Sequence, residues 1–209
     1  MIHPATLVPA LWPWLDLAGL AVFAGSGALA AAKRGQTFVT LAFFALVTGV
    51  GGGTVRDLLI GAPVFWVGDA RAAAACLAVA AVIWVTPERW WRGAALDWFD
   101  AVGLAAYAVF GAAKALGVGV PPVPAALMGV MTACVGGIIR DVLAGEPSIL
   151  MRPELYVTAA ALAAGLYVAL KLLGVPAPVA AGIGAGAGFA LRAAAIRWHL
   201  RLPAYRGRR

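Results

Sequence analysis

Charge is what this chain has least of. Only 12% of its 209 residues are Asp, Glu, Lys or Arg, against 63% that are hydrophobic, and the mean hydropathy is +0.92. Soluble domains carry about 25% charged residues. A chain this poor in charge cannot coat a water-facing surface, which excludes an ordinary soluble domain and points to an integral membrane protein. Catalytic equipment is equally scarce. Both histidines, His3 and His199, sit near the termini, and serines are few. No nucleophile–base set assembles from these residues, so an enzyme is not expected. The two cysteines, Cys76 and Cys134, lie inside apolar runs and read as small core residues. Their spacing matches neither a metal site nor a disulfide framework, and no cofactor is expected.

The charge that is present leans basic, 16 Lys and Arg against 9 Asp and Glu, for a net +7. In a soluble protein that balance would suggest nucleic acid. Here no aromatic–basic interleaving goes with it. Six arginines instead gather towards the C-terminus: Arg192, Arg197, Arg201, Arg206, Arg208 and Arg209. This is a cytoplasmic-side signature, with anionic lipid as the natural neighbour of the basic tail and no nucleic-acid partner.

Against this background one stretch stands out, Gly51-Gly52-Gly53-Thr54-Val55-Arg56-Asp57, followed by Gly61-Ala62-Pro63. It recurs 84 positions later as Gly136-Gly137-Ile138-Ile139-Arg140-Asp141, followed by Gly145-Glu146-Pro147. The same offset relates Asp16 to Asp100 and Thr48 to Thr132. The first apolar run, Leu11 to Ala32, lacks the basic leader of a signal peptide and has this internal counterpart, so it reads as a helix of the mature protein.

Apolar runs and Gly/Pro punctuation predict seven transmembrane helices: about 11–32, 37–60, 69–85, 98–116, 123–143, 154–173 and 179–196. The chain reads as one membrane domain over residues 1–209. Repeat 1 covers about 11–86, repeat 2 about 95–173, a seventh helix about 177–197 and a basic tail 198–209. Three helices per unit is an odd number, so the second unit enters from the opposite side and the repeats are inverted. Basic residues divide eleven to three between the two faces, with Lys114 assigned to the sparser one. That division predicts the N-terminus outside and the C-terminus in the cytoplasm, as expected in a prokaryotic cell membrane.

The glycine runs predict breaks in helices 2 and 5. Carbonyls and amides freed at a break are tolerated only against protein or a wet cavity. Asp57 and Asp141 would then cap the resumed half-helices. Arg56 and Arg140 are costly in lipid, by about 2.5–3.5 kcal/mol at a helix centre, and are expected to face the interior. Asp16 or Asp100 would partner them, although both aspartates stand near helix starts, where capping or an interfacial place also suits them. Thr48, Thr132 and Ser26 complete a candidate polar lining with Gly51, Gly52, Gly53, Gly136 and Gly137. Two plainer readings stay open: the glycines serve close helix packing alone, or each run is a helix end with its arginine snorkelling to the interface.

These paired glycine–Arg–Asp segments, within seven spans and two three-helix repeats, resemble the prokaryotic trimeric intracellular cation (TRIC) channel family. The resemblance implies a homotrimer with one pore per subunit. It implies passage of monovalent cations, chiefly potassium, along helices 2 and 5 kinked at Gly51–Gly53 and Gly136–Gly137. Bacterial relatives are also described as glycine-transporter-like. Secondary transport of a small zwitterion such as glycine is therefore the alternative, and a broken helix with opposed dipole ends suits it.

Overall fold

A computed structural model describes residues 4–91 and 94–203, with side chains described from Leu17 onward apart from 92–93 and 204–209. The described residues form seven α-helices: α1 (Pro4–Ala32), α2 (Phe38–Leu59), α3 (Ala70–Val85), α4 (Ala95–Gly117), α5 (Pro122–Leu143), α6 (Val157–Leu172) and α7 (Ala177–Trp198). Short 3₁₀ turns at Glu88–Trp91 and Ile149–Met151 follow α3 and α5. Helices α2, α4, α5 and α7 are long and apolar enough to cross a membrane. The apolar segments Leu17–Ala32, Ala70–Val85 and Val157–Leu172 are shorter. At about 1.5 Å per residue, α3 and α6 fall short of a full hydrocarbon core. The protein is thus an all-helical membrane protein of two inverted three-helix units and a seventh helix.

The duplication is visible in backbone detail. Gly61 and Gly145, 84 apart, take φ of 66° and 65° and close the ends of α2 and α5. In each, the amide one residue on (Ala62 or Glu146) donates to the carbonyl of Asp57 or Asp141 at 2.9 Å. Only glycine adopts this left-handed turn without strain. Aromatic packing repeats with its partners exchanged. A Cβ on Gly19 would meet the Tyr107 ring, and one on Gly103 would meet the Phe23 ring. Those two rings stack edge to face, with centroids 5.3 Å apart. At one end of the bundle Arg34, after α1, forms an ion pair with Glu146, after α5, and so ties the two units together.

Helices α2 and α5 are continuous through their glycines, which corrects the expected breaks. The glycines mark where the two helices cross. A Cβ on Gly52 would lie 2.0 Å from the Thr132 carbonyl oxygen, and one on Gly136 would lie 2.4 Å from that of Thr48. The contact is reciprocal, so backbone meets backbone at this level. Glycine weakens a helix by only about 1 kcal/mol relative to Ala. Unpaired backbone groups in an apolar slab cost several, so the helices keep their hydrogen bonds. Small residues in α7 act similarly: Gly184 and Gly188 press on Ala163 of α6, while Gly182 and Gly186 face open space.

α6 begins at Val157, three residues later than expected, because residues 148–156 form the 3₁₀ turn and a loop. The first helix starts earlier than expected, at Pro4. Arg192 and Arg197 belong to α7 and not to a tail. Asp16, Arg92, Arg206, Arg208 and Arg209, to which sequence roles were given, have side chains outside the described residues.

Gly52→Ala and Gly136→Ala are expected to destabilise the protein by about 1–3 kcal/mol or more through overpacking against backbone that has no room to shift. Gly182→Ala and Gly186→Ala are expected to be neutral or stabilising by up to about 1 kcal/mol. Thermal unfolding in detergent, followed by tryptophan fluorescence, separates the two pairs.

Candidate functional site

Each Arg-Asp pair lies in the final turn of its helix, one turn beyond the crossing glycine. Arg56 Nε donates to Asp57 Oδ1 at 2.8 Å, and Arg140 Nε donates to Asp141 Oδ1 at 2.9 Å. The second carboxylate oxygen serves the loop beyond. Asp57 Oδ2 accepts from the Phe65 amide at 3.0 Å, and Asp141 Oδ2 accepts from the Ile149 amide at 2.8 Å. Phe65 and Ile149 are again 84 apart. The aspartates therefore hold the loops that leave the helices; they do not cap resumed half-helices, since no half-helices exist.

Both guanidinium groups are buried, with Arg56 at 0% and Arg140 at 2% exposure. Neither arginine snorkels to solvent. Arg140 reaches Asp100 of α4 through Nη1 at 2.5 Å and Ser26 of α1 at 3.0 Å. Asp100 is itself buried, which sets aside an interfacial place for it. Arg56 meets different partners. Lys114, in the last turn of α4 and a quarter exposed, reaches Asp57 Oδ1 at 2.7 Å. The Arg56 guanidinium carbon lies 5.2 Å from the Phe110 ring and 6.0 Å from that of Phe65. Its Nη1 and Nη2 have no hydrogen-bond partner among the described residues. The repeat explains the difference. Phe110 occupies the position equivalent to Ser26, so a ring stands where the other arginine finds a hydroxyl. Asp16, the equivalent of Asp100, is outside the described side chains.

The two clusters are stacked on either side of the crossing. Arg56 follows Gly52 by four residues on α2, and Arg140 follows Gly136 by four on the inverted helix α5. Four residues rise about 6 Å along each axis, and the helices run in opposite senses, so the clusters lie on opposite sides of the crossing. Thr48 and Thr132 lie between them, buried. Thr132 Oγ1 donates back to the Met128 carbonyl at 2.6 Å, whereas Thr48 Oγ1 has no partner among the described residues. Formal charge differs between the described members of the clusters. Arg56, Lys114 and Asp57 carry net +1, while Arg140, Asp141 and Asp100 carry net −1. Of the sequence-predicted residues, Gly53 packs on Phe65, Gly51 on Ile139 and Gly137 on the Tyr156 hydroxyl.

Sequence reasoning missed a third element. Arg192 of α7 is buried, pairs with Glu154 at 2.8 Å, and lies 5.2 Å above the Tyr156 ring. Tyr156 is buried beside Gly137, and its hydroxyl has no hydrogen-bond partner among the described residues, nor has Asp100 Oδ2. The repeat gave no warning, since Tyr156 and Glu154 correspond to Ala72 and Ala70 and Arg192 lies outside the duplication. Helical spacing around an apolar-run arginine was the available signal.

Asp100→Ala leaves the Arg140 guanidinium short of one carboxylate in a buried site and is expected to cost about 3–5 kcal/mol. Ser26→Ala removes one neutral partner and is expected to cost about 0.5–1.5 kcal/mol. Unfolding in mixed micelles with rising SDS measures both.

Comparison with known proteins gives the same division of the chain. A family model described as "Glycine transporter" matches twice, at residues 13–88 and 97–172, and the two matches are 84 positions apart. The inner membrane protein YadS of the UPF0126 group, from Escherichia coli K12, is 39% identical over 92% of this chain and 95% of its own length. A UPF0126 membrane protein of Vibrio cholerae is 37% identical over 91% of this chain and 81% of its own. Among solved structures, the TRIC channel orthologue from Rhodobacter sphaeroides superposes with a TM-score of 0.84 at 44% identity, covering 90% of this chain and 97% of that one. A second TRIC cation channel, studied for its conductance, superposes with a TM-score of 0.82 at 29% identity, covering 95% and 99%. With both units matched and close likeness along most of its length, the chain belongs to the family that the glycine-transporter model describes, as one of the prokaryotic TRIC channels.

Proposed function

We propose that the protein is a channel for monovalent cations, potassium among them, with one pathway through each subunit of a homotrimer in the bacterial inner membrane. The observation that carries this reading is the pair of buried Arg-Asp clusters on either side of the α2–α5 crossing, in a chain that superposes on TRIC cation channels. The pathway runs past Ser26, Thr48, Gly51, Gly52, Gly53, Arg56 and Asp57, and past Thr132, Gly136, Gly137, Arg140 and Asp141. An unpaired arginine would repel cations in a narrow passage. Each arginine here has a carboxylate on its Nε, which supports cation passage. Backbone contact at Gly52 and Gly136 leaves no room for an ion at the crossing, so conduction requires α2 and α5 to part there. No chemical step is involved. The N-terminus lies outside and the C-terminus in the cytoplasm, where the basic tail meets anionic lipid.

One observation favours a second reading, passage of a small zwitterion such as glycine. The family model carries that description, and Arg56 has two nitrogens without a hydrogen-bond partner among the described residues, of a kind suited to a carboxylate. The two readings separate in proteoliposomes containing the purified protein. The channel predicts passive potassium flux, unitary current steps in planar bilayers and no saturable uptake of labelled glycine. Folded trimer that passes no cation but takes up glycine saturably, with uptake lost in Arg56→Ala, overturns the channel in favour of the transporter.

A further inference from the structure

A cavity of about 510 Å³ opens at the end of the bundle where α1 and α3 finish and α2 begins, and none of its lining residues belongs to either charge cluster. Its polar lining includes Lys33, Gln36, Thr86 and Glu88, and its apolar lining includes Leu41, Ile83 and Trp84. Neither Lys33 nor Glu88 belongs to any ion pair among the described residues, although the neighbouring Arg34 is paired with Glu146. One cavity thus presents an ammonium and a carboxylate that do not satisfy each other. Its walls are fixed. Trp91 Nε1 donates to Thr86 Oγ1 at 2.7 Å, and that hydroxyl donates to the Val82 carbonyl at 2.7 Å. Trp84 stacks edge-on against Phe38 with centroids 5.9 Å apart and keeps half its surface exposed.

The duplication supplies an internal control. Lys33, Gln36, Trp84, Thr86, Glu88 and Trp91 correspond in the second unit to Gly117, Val120, Val168, Leu170, Leu172 and Val175. The corresponding positions there are small and aliphatic, and the end of α6 is bound instead by Lys171, which donates to the Val175 carbonyl at 3.2 Å, so the three-helix unit does not need this particular polar and aromatic set in order to fold. What distinguishes the first unit is chemistry suited to a ligand. Tryptophan beside charges of both signs at a helix end is the composition of the headgroup boundary, and the volume fits a small polar group with the start of a chain.

We propose that this cavity binds the headgroup of phosphatidylethanolamine. Lys33 and Gln36 donate to the phosphate oxygens, Glu88 accepts from the ethanolammonium, and the acyl chains leave along Leu41, Ile83 and the exposed face of Trp84. The charges set the choice of lipid. Phosphatidylglycerol has the phosphate but no cation for Glu88. Phosphatidylcholine has a cation but no N–H to donate. The inference is independent of which solute the protein passes.

Native mass spectrometry of the delipidated full-length protein with chain-matched phosphatidylethanolamine, phosphatidylglycerol and phosphatidylcholine tests it. Phosphatidylethanolamine is expected to bind about tenfold more tightly than the other two. Glu88→Gln is expected to abolish its preference over phosphatidylglycerol, and Lys33→Gln to weaken all three lipids. Both side chains are exposed and unpaired, so both variants are expected to melt like the parent; the comparison of lipids on the unmodified protein decides the matter without them. Equal binding of the three lipids, or an unchanged preference in Glu88→Gln, overturns the proposal. Displacement of the lipid by free glycine also overturns it, because the cavity would then hold a free zwitterion.

Discussion

A guanidinium held in an apolar slab has to bring its counter-charge with it. Arg56 and Arg140 do so in the shortest way open to a helix, by taking a carboxylate from the next residue. That arrangement uses only one carboxylate oxygen. The other accepts an amide from the loop eight residues further on, so one aspartate fixes both the arginine rotamer and the exit of the chain. Removing either member of such a pair exposes the other to a low dielectric, where an uncompensated charge is very costly. The Arg-Asp dipeptide is therefore structural and electrostatic at once. The glycine turn that follows, at Gly61 or Gly145, brings the loop back within reach.

The crossing of α2 and α5 depends on a different economy of space. Lipid offers no hydrophobic reason for two helices to associate, so contact has to come from close packing. Gly52 against Thr132 and Gly136 against Thr48 bring backbones together where a single methyl group would not fit. This contact places one buried charge cluster above it and one below. The helices remain intact through the glycines, so the crossing is a contact between two unbroken helices.

Helix number, the 84-residue repeat and its inversion were legible because each follows from apolar length, punctuation and parity. The interior place of both arginines was legible because lipid leaves little alternative. The glycines were misread for a physical reason: the same residue weakens a helix and permits a close neighbour, and only the neighbour's position decides which effect is expressed. Lys114 and Tyr156 were invisible as cluster members because repeat comparison highlights what is shared, and they correspond to Ala30 and Ala72. Arg192 stands outside the repeat altogether, so its pairing with Glu154 needed the packing of α7 to be known.

The unshared residues carry most of what makes the two ends of the bundle different. The duplicated part supplies an Arg-Asp pair, a loop amide and a crossing glycine to each side. To this the first cluster adds Lys114 and the Phe110 ring, while the second has Ser26 in place of that ring and Asp100, whose counterpart in the repeat is Asp16. The described members of the first cluster then sum to a positive charge and those of the second to a negative one. A duplicated scaffold thereby holds two different sets of partners: the hydroxyl that receives Arg140 is replaced beside Arg56 by a ring, and the ammonium of Lys114 has only Ala30 as its counterpart.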